Sequence, residues 1–118
     1  MDELNRIMET LLAPDGCPWD REQTHESLRE NMLEEAQEAV DAINAGDMAN
    51  LQEELGDVLL QVVFHAKLAE KAGIFTLDDV IRGLCTKLVG RHTHVFGGEK
   101  AASAEEALQI WQKNKQIP

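Results

Sequence analysis

Two pairs of carboxylates dominate the chemistry open to this sequence: Glu35-x-x-Glu38, preceded by Glu34, and Glu54-x-x-Asp57. Both fall in stretches of helical periodicity, and residues three apart on a helix share a face. Each pair is therefore a two-pronged claw of oxygens. Two such helices packed antiparallel would bring four carboxylates to one place. Repulsion and lost hydration oppose that arrangement unless cations are present. Hard divalent cations fit such a donor set, Mg²⁺ above all, with Mn²⁺ able to stand in.

Glutamates on helices are usually a solvated face, but these are not placed like one. At ~100° per residue, Glu35 and Glu38 flank Leu28, Met32 and Ala39, whereas Glu30, Gln37 and Asp41 occupy the opposite side. Glu54 and Asp57 flank Leu51 and Val58 in the same way. Glu34 lies at the edge of the cluster, where it could ligate, orient a water as general base, or be solvated. Glu53 is further round, toward a salt bridge or solvent. Gln61 and His65 continue the Glu54 face, within reach of a bound ligand or as satisfied polar residues of the core.

The elements that must carry these residues are all helical. Leu4, Ile7, Met8, Leu11 and Leu12 predict a first helix over 2–12, ended by Pro14, Gly16 and Pro18. A loop to about Thr24 follows. A second helix is expected over 27–45, with Ser27-x-x-Glu30 as a capping box and Gly46 as its C-terminal cap. Asp47 caps a third over 48–72, closed by Gly73. Thr76-x-x-Asp79 opens a fourth over 77–91, a Gly-rich turn follows at Gly97-Gly98, and Ser103-x-x-Glu106 caps a last helix through Leu108 and Trp111. No strand, repeat or low-complexity segment is visible. The expected fold is all-α, a bundle of four to five helices.

The helix over 48–72 is apolar nearly all round. Leu51, Leu55, Val58, Leu59, Val62 and Ala66 form one face, and Leu60, Val63 and Phe64 cover much of the rest. Such a helix must be buried nearly all round. A thin shell of short helices leaves part of it for a second subunit, so dimerisation through the central helices is expected, with Val63 and Phe64 on the contact; the alternative is that the fourth and fifth helices cover it within one chain.

Length and charge limit the rest. The 118 residues suit one small domain. Asp and Glu number 22 against 11 Lys and Arg, a net charge of −11 that gives a nucleic-acid backbone nothing to follow. The absence of Tyr suits helices better than a sandwich or barrel. Cys17 and Cys85 make no metal or disulfide pattern, no apolar run is long enough for a bilayer, and no signal-peptide pattern is seen, which points to a soluble, cytoplasmic protein.

Five motifs then occur in one order: Cys17-Pro18-Trp19-Asp20, Gln23-Thr24-His25, the Glu34-Glu35-x-x-Glu38 run, Glu54-Leu55-Gly56-Asp57 with Val62-Val63-Phe64-His65-Ala66, and Arg91-His92-x-His94-Val95-Phe96-Gly97. Together they resemble the MazG nucleoside triphosphate pyrophosphohydrolases of the all-α NTP pyrophosphatase superfamily. The likeness runs from Leu4 to about Lys115. It implies a dimerising, Mg²⁺-binding helical domain that cleaves NTPs or dNTPs between the α- and β-phosphates. By that resemblance the metal ligands are Glu35, Glu38, Glu54 and Asp57. Many members carry two such domains or a fused partner, whereas this chain holds one. Gly90 stands before Arg91 where the family often has a second basic residue.

The reaction implied needs charge neutralisation, an in-line water and a stabilised leaving group. No Ser-His-Asp arrangement is visible, so direct attack by water is the economical reading, with a carboxylate or a metal-bound hydroxide as base and Glu34 the candidate. Lys87 and Arg91, spaced i,i+4, resemble the family's basic pair and could grip the β- and γ-phosphates, or simply favour the end of their helix. Trp19 either stacks on a base or plugs the end of the bundle. Trp111 reads as core, and His92 and His94 as structural or phosphate-facing. The alternatives are a non-catalytic helical module that binds a metal or a partner, and a di-iron bundle. The latter expects Glu-x-x-His on two helices, but only Glu22-x-x-His25 fits.

Overall fold

The computed structural model describes residues 1–115. Among the described residues seven helices follow in order: α1 Asp2–Leu12, α2 Pro18–Glu22, α3 Arg29–Ala45, α4 Met48–Lys71, α5 Leu77–Arg91, α6 Thr93–Phe96 and α7 Ala104–Asn114. No strand occurs among the described residues, and the fold is all-α. None of the described helices is long and apolar enough to cross a membrane. The chain forms two compact units, Met1–Leu77 and the residues from Asp78 on.

The five longer helices lie where periodicity places them, while two one-turn helices fall in segments expected to be loops. Pro18 occupies the first turn of α2. There a missing N–H costs nothing, so Pro18 starts α2, whereas α1 has already stopped at Leu12 with Ala13 extended before Pro14. In α6 the amides of Phe96 and Gly97 donate to the carbonyls of His92 and Thr93, closing a single turn.

Ser27 does not cap the second long helix. Its hydroxyl donates to Gln23 Oε1 at 2.8 Å and accepts from the Thr24 amide at 2.9 Å, so it is used within the loop. α3 instead begins after Leu28 with no side-chain cap. Asp47 caps α4 by accepting from the Asn50 amide at 3.1 Å, and Ser103 caps α7 by accepting from the Glu106 amide at 3.2 Å.

In the first unit, α3 and α4 form an αα-hairpin joined by Gly46 and Asp47. Gly46 takes φ +67°, the left-handed conformation that lets a helix stop and reverse in so few residues. Glu38 and Glu54 lie at similar distances before and after this turn, as do Glu35 and Asp57 one turn further out. An antiparallel hairpin with so short a connection therefore sets the two claws opposite each other.

α1 packs on α4, and α2 on α1. Their shared core is Met8, Leu12, Leu28, Val63, Phe64, Ala66 and Leu77. Lys67 is buried to 5% exposure and donates to Glu9 of α1 at 2.9 Å and to Glu70 at 3.2 Å, tying α1 to α4. The turn between α1 and α2 requires Gly16, since a Cβ there would stand 2.2 Å from the Leu11 carbonyl oxygen.

This packing corrects the expected surface of α4. Val63 and Phe64 are 0% and 4% exposed, so they belong to the core of their own unit rather than to a subunit contact. The apolar side chains left uncovered on α4 include Met48, Leu55, Leu59, Leu60 and Val62, and those on α3 include Leu33, Val40 and Ile43. α1 docks on the side of α4 that carries Val63, which periodicity alone cannot choose from a helix apolar on several faces.

Candidate metal centre and its flanking pocket

The hairpin brings Glu35, Glu38, Glu54 and Asp57 together. One carboxylate oxygen from each lies within 4.8 Å of the others. Glu35 Oε2 and Glu54 Oε2 are buried with no hydrogen-bond partner. Buried acceptors are normally satisfied, and here the surroundings offer more negative charge instead of donors. Convergent, orphaned carboxylate oxygens from two rigid helices fit a hard divalent cation.

The electrostatics express the same crowding. Glu54 is pushed up to about 7 by a hydrogen bond shared with the Glu38 carboxylate, then by lost hydration and by the charges of Glu38, Asp57 and Glu35. Glu35 is raised as well, first by burial and then by the charges of Glu38 and Asp57. Without a cation, the cluster relieves its repulsion by holding protons.

Other singled-out residues divide between the two units. Glu34 is exposed on α3, beside the cluster but outside its four-oxygen core, and Glu53 is exposed on α4. Trp19 sits on α2 at 56% exposure and is not a core plug. His65 faces His25, with Nδ1 atoms 2.7 Å apart and rings stacked at 5.0 Å. Burial, and then the charge of His25, lowers the His65 imidazole.

In the second unit, Lys87 and Arg91 lie on α5, Lys87 exposed and Arg91 half-buried. The Arg91 guanidinium stands 5.5 Å from the Trp111 ring centroid, and the His92 ring 4.9 Å from it. His92 Nδ1 lies 2.7 Å from the Leu88 carbonyl, a structural contact. Cys17 and Cys85 are both free.

Beside the cluster lies a pocket of about 220 Å³ that spacing did not reveal. Trp19, Leu60, Gln61 and Phe64 line it, and Glu35 joins it to the carboxylates. Asn31 lines it too, a residue that no motif in the sequence points to. Its signal was available: it precedes Glu35 by one helical turn and so shares its face.

A profile of the MazG nucleotide pyrophosphohydrolase domain matches residues 23–96, which include all four carboxylates. The chain belongs to the MazG family. A nucleoside triphosphate pyrophosphohydrolase/pyrophosphatase MazG of Thermotoga maritima is 50% identical over 114 residues, covering 97% of this chain and 45% of that protein. An Escherichia coli K12 nucleoside triphosphate pyrophosphohydrolase is 42% identical over 116 residues, covering 98% of this chain and 44% of that protein. This MazG chain thus spans less than half the length of those two relatives. The crystal structure of a mazG-related protein from Thermotoga maritima superposes with a TM-score of 0.80 at 32% identity, covering 98% of this chain and 99% of that one.

The raised carboxyls of the MazG hairpin make stability depend on pH. A group with a higher pKa in the folded state binds its proton more tightly there than in the unfolded chain. Stability therefore falls as pH rises from the ordinary value of 4.5 through about 7, where Glu54 ionises in the folded protein. In chelator, the melting temperature of the wild type should drop over that window more than that of Glu54→Gln. Mg²⁺ should remove the difference at the upper end. Parallel melting curves for the two proteins would show that Glu54 is not raised.

Proposed function

We propose that this MazG domain hydrolyses nucleoside triphosphates to nucleoside monophosphate and pyrophosphate in a Mg²⁺-dependent reaction, with water attacking the α-phosphorus. The observation that carries this reading is the convergence of four carboxylates within 4.8 Å on one helical hairpin, two of them with orphaned oxygens. Glu35, Glu38, Glu54 and Asp57 would hold the metal, with Mn²⁺ as substitute. When bound, it supplies the positive charge that neutralises the phosphate oxygens of the substrate.

The chain's own residues do the rest. Glu34, exposed at the edge of the cluster, is our candidate to accept a proton from the attacking water. Trp19 presents a partly exposed ring at the pocket, suited to stacking on a base. Lys87 and Arg91 are the candidates for the β- and γ-phosphates, on the strength of their charge and i,i+4 spacing on α5. The net charge of −11 disfavours nucleic acid as a partner, and the free cysteines accord with a reducing cytoplasm.

Glu38→Gln and Asp57→Asn should each reduce turnover by more than ~100-fold, beyond the usual cost of removing a supporting residue around a metal. Both should stay helical, and the metal-free variants should melt higher than wild type because a repelling charge is gone. Wild-type rates in both would exclude these residues as ligands.

Product chemistry is tested in ¹⁸O-water. Attack at the α-phosphorus puts the label in the monophosphate, and attack at the β-phosphorus puts it in pyrophosphate. We expect the former. Orthophosphate as first product would overturn the pyrophosphohydrolase reading.

A homodimer or higher homo-oligomer is part of the same proposal. Leu33, Val40 and Ile43 of α3 and Leu55, Leu59 and Val62 of α4 are exposed on two helices packed together, and apolar side chains left uncovered in this way suit an association face. Ile43→Glu and Leu59→Glu should yield smaller particles by sedimentation while remaining helical, because an unpaired charge in an apolar contact is costly. A wild-type protein that is monomeric at micromolar concentration would end this inference.

A further inference from the structure

We infer that Gln61 determines base specificity, its buried carboxamide pairing with the edge of the nucleobase of a bound nucleotide. This rests on the proposed reaction for the identity of the ligand, while what singles out Gln61 is its own burial and unpaired oxygen. Gln61 is only 6% exposed, and its Oε1 is buried with no donor in reach. If the amide is turned over, a donor faces the same place. Burying an amide group unpaired is unfavourable, and an apolar side chain of similar length would avoid the cost. The carboxamide has a use there once a ligand brings the missing partner.

The pocket that Gln61 lines fits part of a nucleotide. At about 220 Å³ it is smaller than the ~300–1,000 Å³ typical of pockets for whole ligands. Its other walls include Leu11, Trp19, Leu60 and Phe64, surfaces suited to a flat, weakly hydrated ring and poorly suited to phosphate. Glu35 belongs both to this lining and to the carboxylate cluster. A nucleotide with its phosphates at the cluster would therefore have its nucleoside end next to the pocket. A carboxamide offers an acceptor and a donor side by side, and base edges carry complementary pairs.

The test compares wild type with Gln61→Met, which keeps the length and removes the amide. Binding of the four nucleoside 5′-monophosphates and of ribose 5-phosphate is measured by calorimetry with Mg²⁺ present, and kcat/KM for the four NTPs under the same conditions. The variant should lose roughly fivefold to tenfold in affinity for the preferred monophosphate, the size of one hydrogen bond. Its preference among the four bases should flatten, with ribose 5-phosphate affinity unchanged. An unchanged ranking of the bases, or equal loss for ribose 5-phosphate, overturns the assignment. Should Gln61→Met fail to fold, Gln61→Asn serves the same comparison, since it retains an amide but draws it back by one methylene. If wild type turns over no NTP yet binds monophosphates through Gln61, the proposed reaction fails and the pocket stands. If NTPs are cleaved with a base ranking indifferent to Gln61, the pocket fails and the reaction stands.

Discussion

Mutual repulsion among Glu35, Glu38, Glu54 and Asp57 is the constraint to which the first unit is built. Like charges this close cannot all ionise without help, and Glu54 accordingly keeps its proton to about pH 7. Something must hold α3 and α4 together against that force. The left-handed Gly46 makes the reversal short, leaving the claws little freedom to separate. On α4, Val63, Phe64 and Ala66 anchor in a core shared with Met8 of α1 and Leu28, and Lys67 adds a tie to Glu9. The apolar packing is the stronger element. Lys67 is buried while its partner Glu9 is largely exposed, so much of the ion pair's attraction is spent against lost hydration.

If the cluster takes a divalent cation, the same repulsion becomes the source of affinity. The four oxygens are brought together by folding, so little reorganisation is left for the binding step, and whatever binds only the folded hairpin stabilises it by mass action. Protons and cations then compete for the same oxygens. The metal-free domain is the strained one, and relief of the strain couples stability, metal concentration and pH through a single group of side chains.

Much of this was legible in the sequence, and the limits have physical causes. The claws were readable because helical spacing fixes which residues share a face, and the Gly46-Asp47 turn implies an antiparallel hairpin. The short helix α2 is obscured because a proline can break a helix or start one: Pro14 follows the end of α1 and Pro18 opens α2, and the pattern alone does not say which role prevails at each. Ser27 fits a capping box in type and spacing, but the competing bonds to Gln23 and Thr24 take its hydroxyl. The sequence pattern does not separate a core role for Val63 and Phe64 from a subunit contact, because a helix apolar on several faces carries no record of which side its neighbour takes. The pocket was hidden for a related reason: Leu11, Trp19 and Gln61 come from three helices, and no periodicity within one helix predicts their meeting.

If the domain binds a nucleoside triphosphate, its strongly acidic surface must separate two tasks. Long-range attraction cannot draw free triphosphate to a surface of net charge −11, so phosphate binding on the proposed reading is conditional on a cation at the cluster. The pocket beside Glu35 is not subject to that condition in the same degree, since a nucleobase is neutral and its recognition depends on shape and paired hydrogen bonds. The two surfaces should then respond differently to their surroundings. Ionic strength and metal act mainly on the phosphate end, while the apolar walls and the Gln61 amide act on the base in a medium that excludes water and makes an unpaired group costly. Selectivity among bases would thus persist under conditions that change overall affinity. That separation would follow from Glu35 bordering both the carboxylate cluster and the pocket.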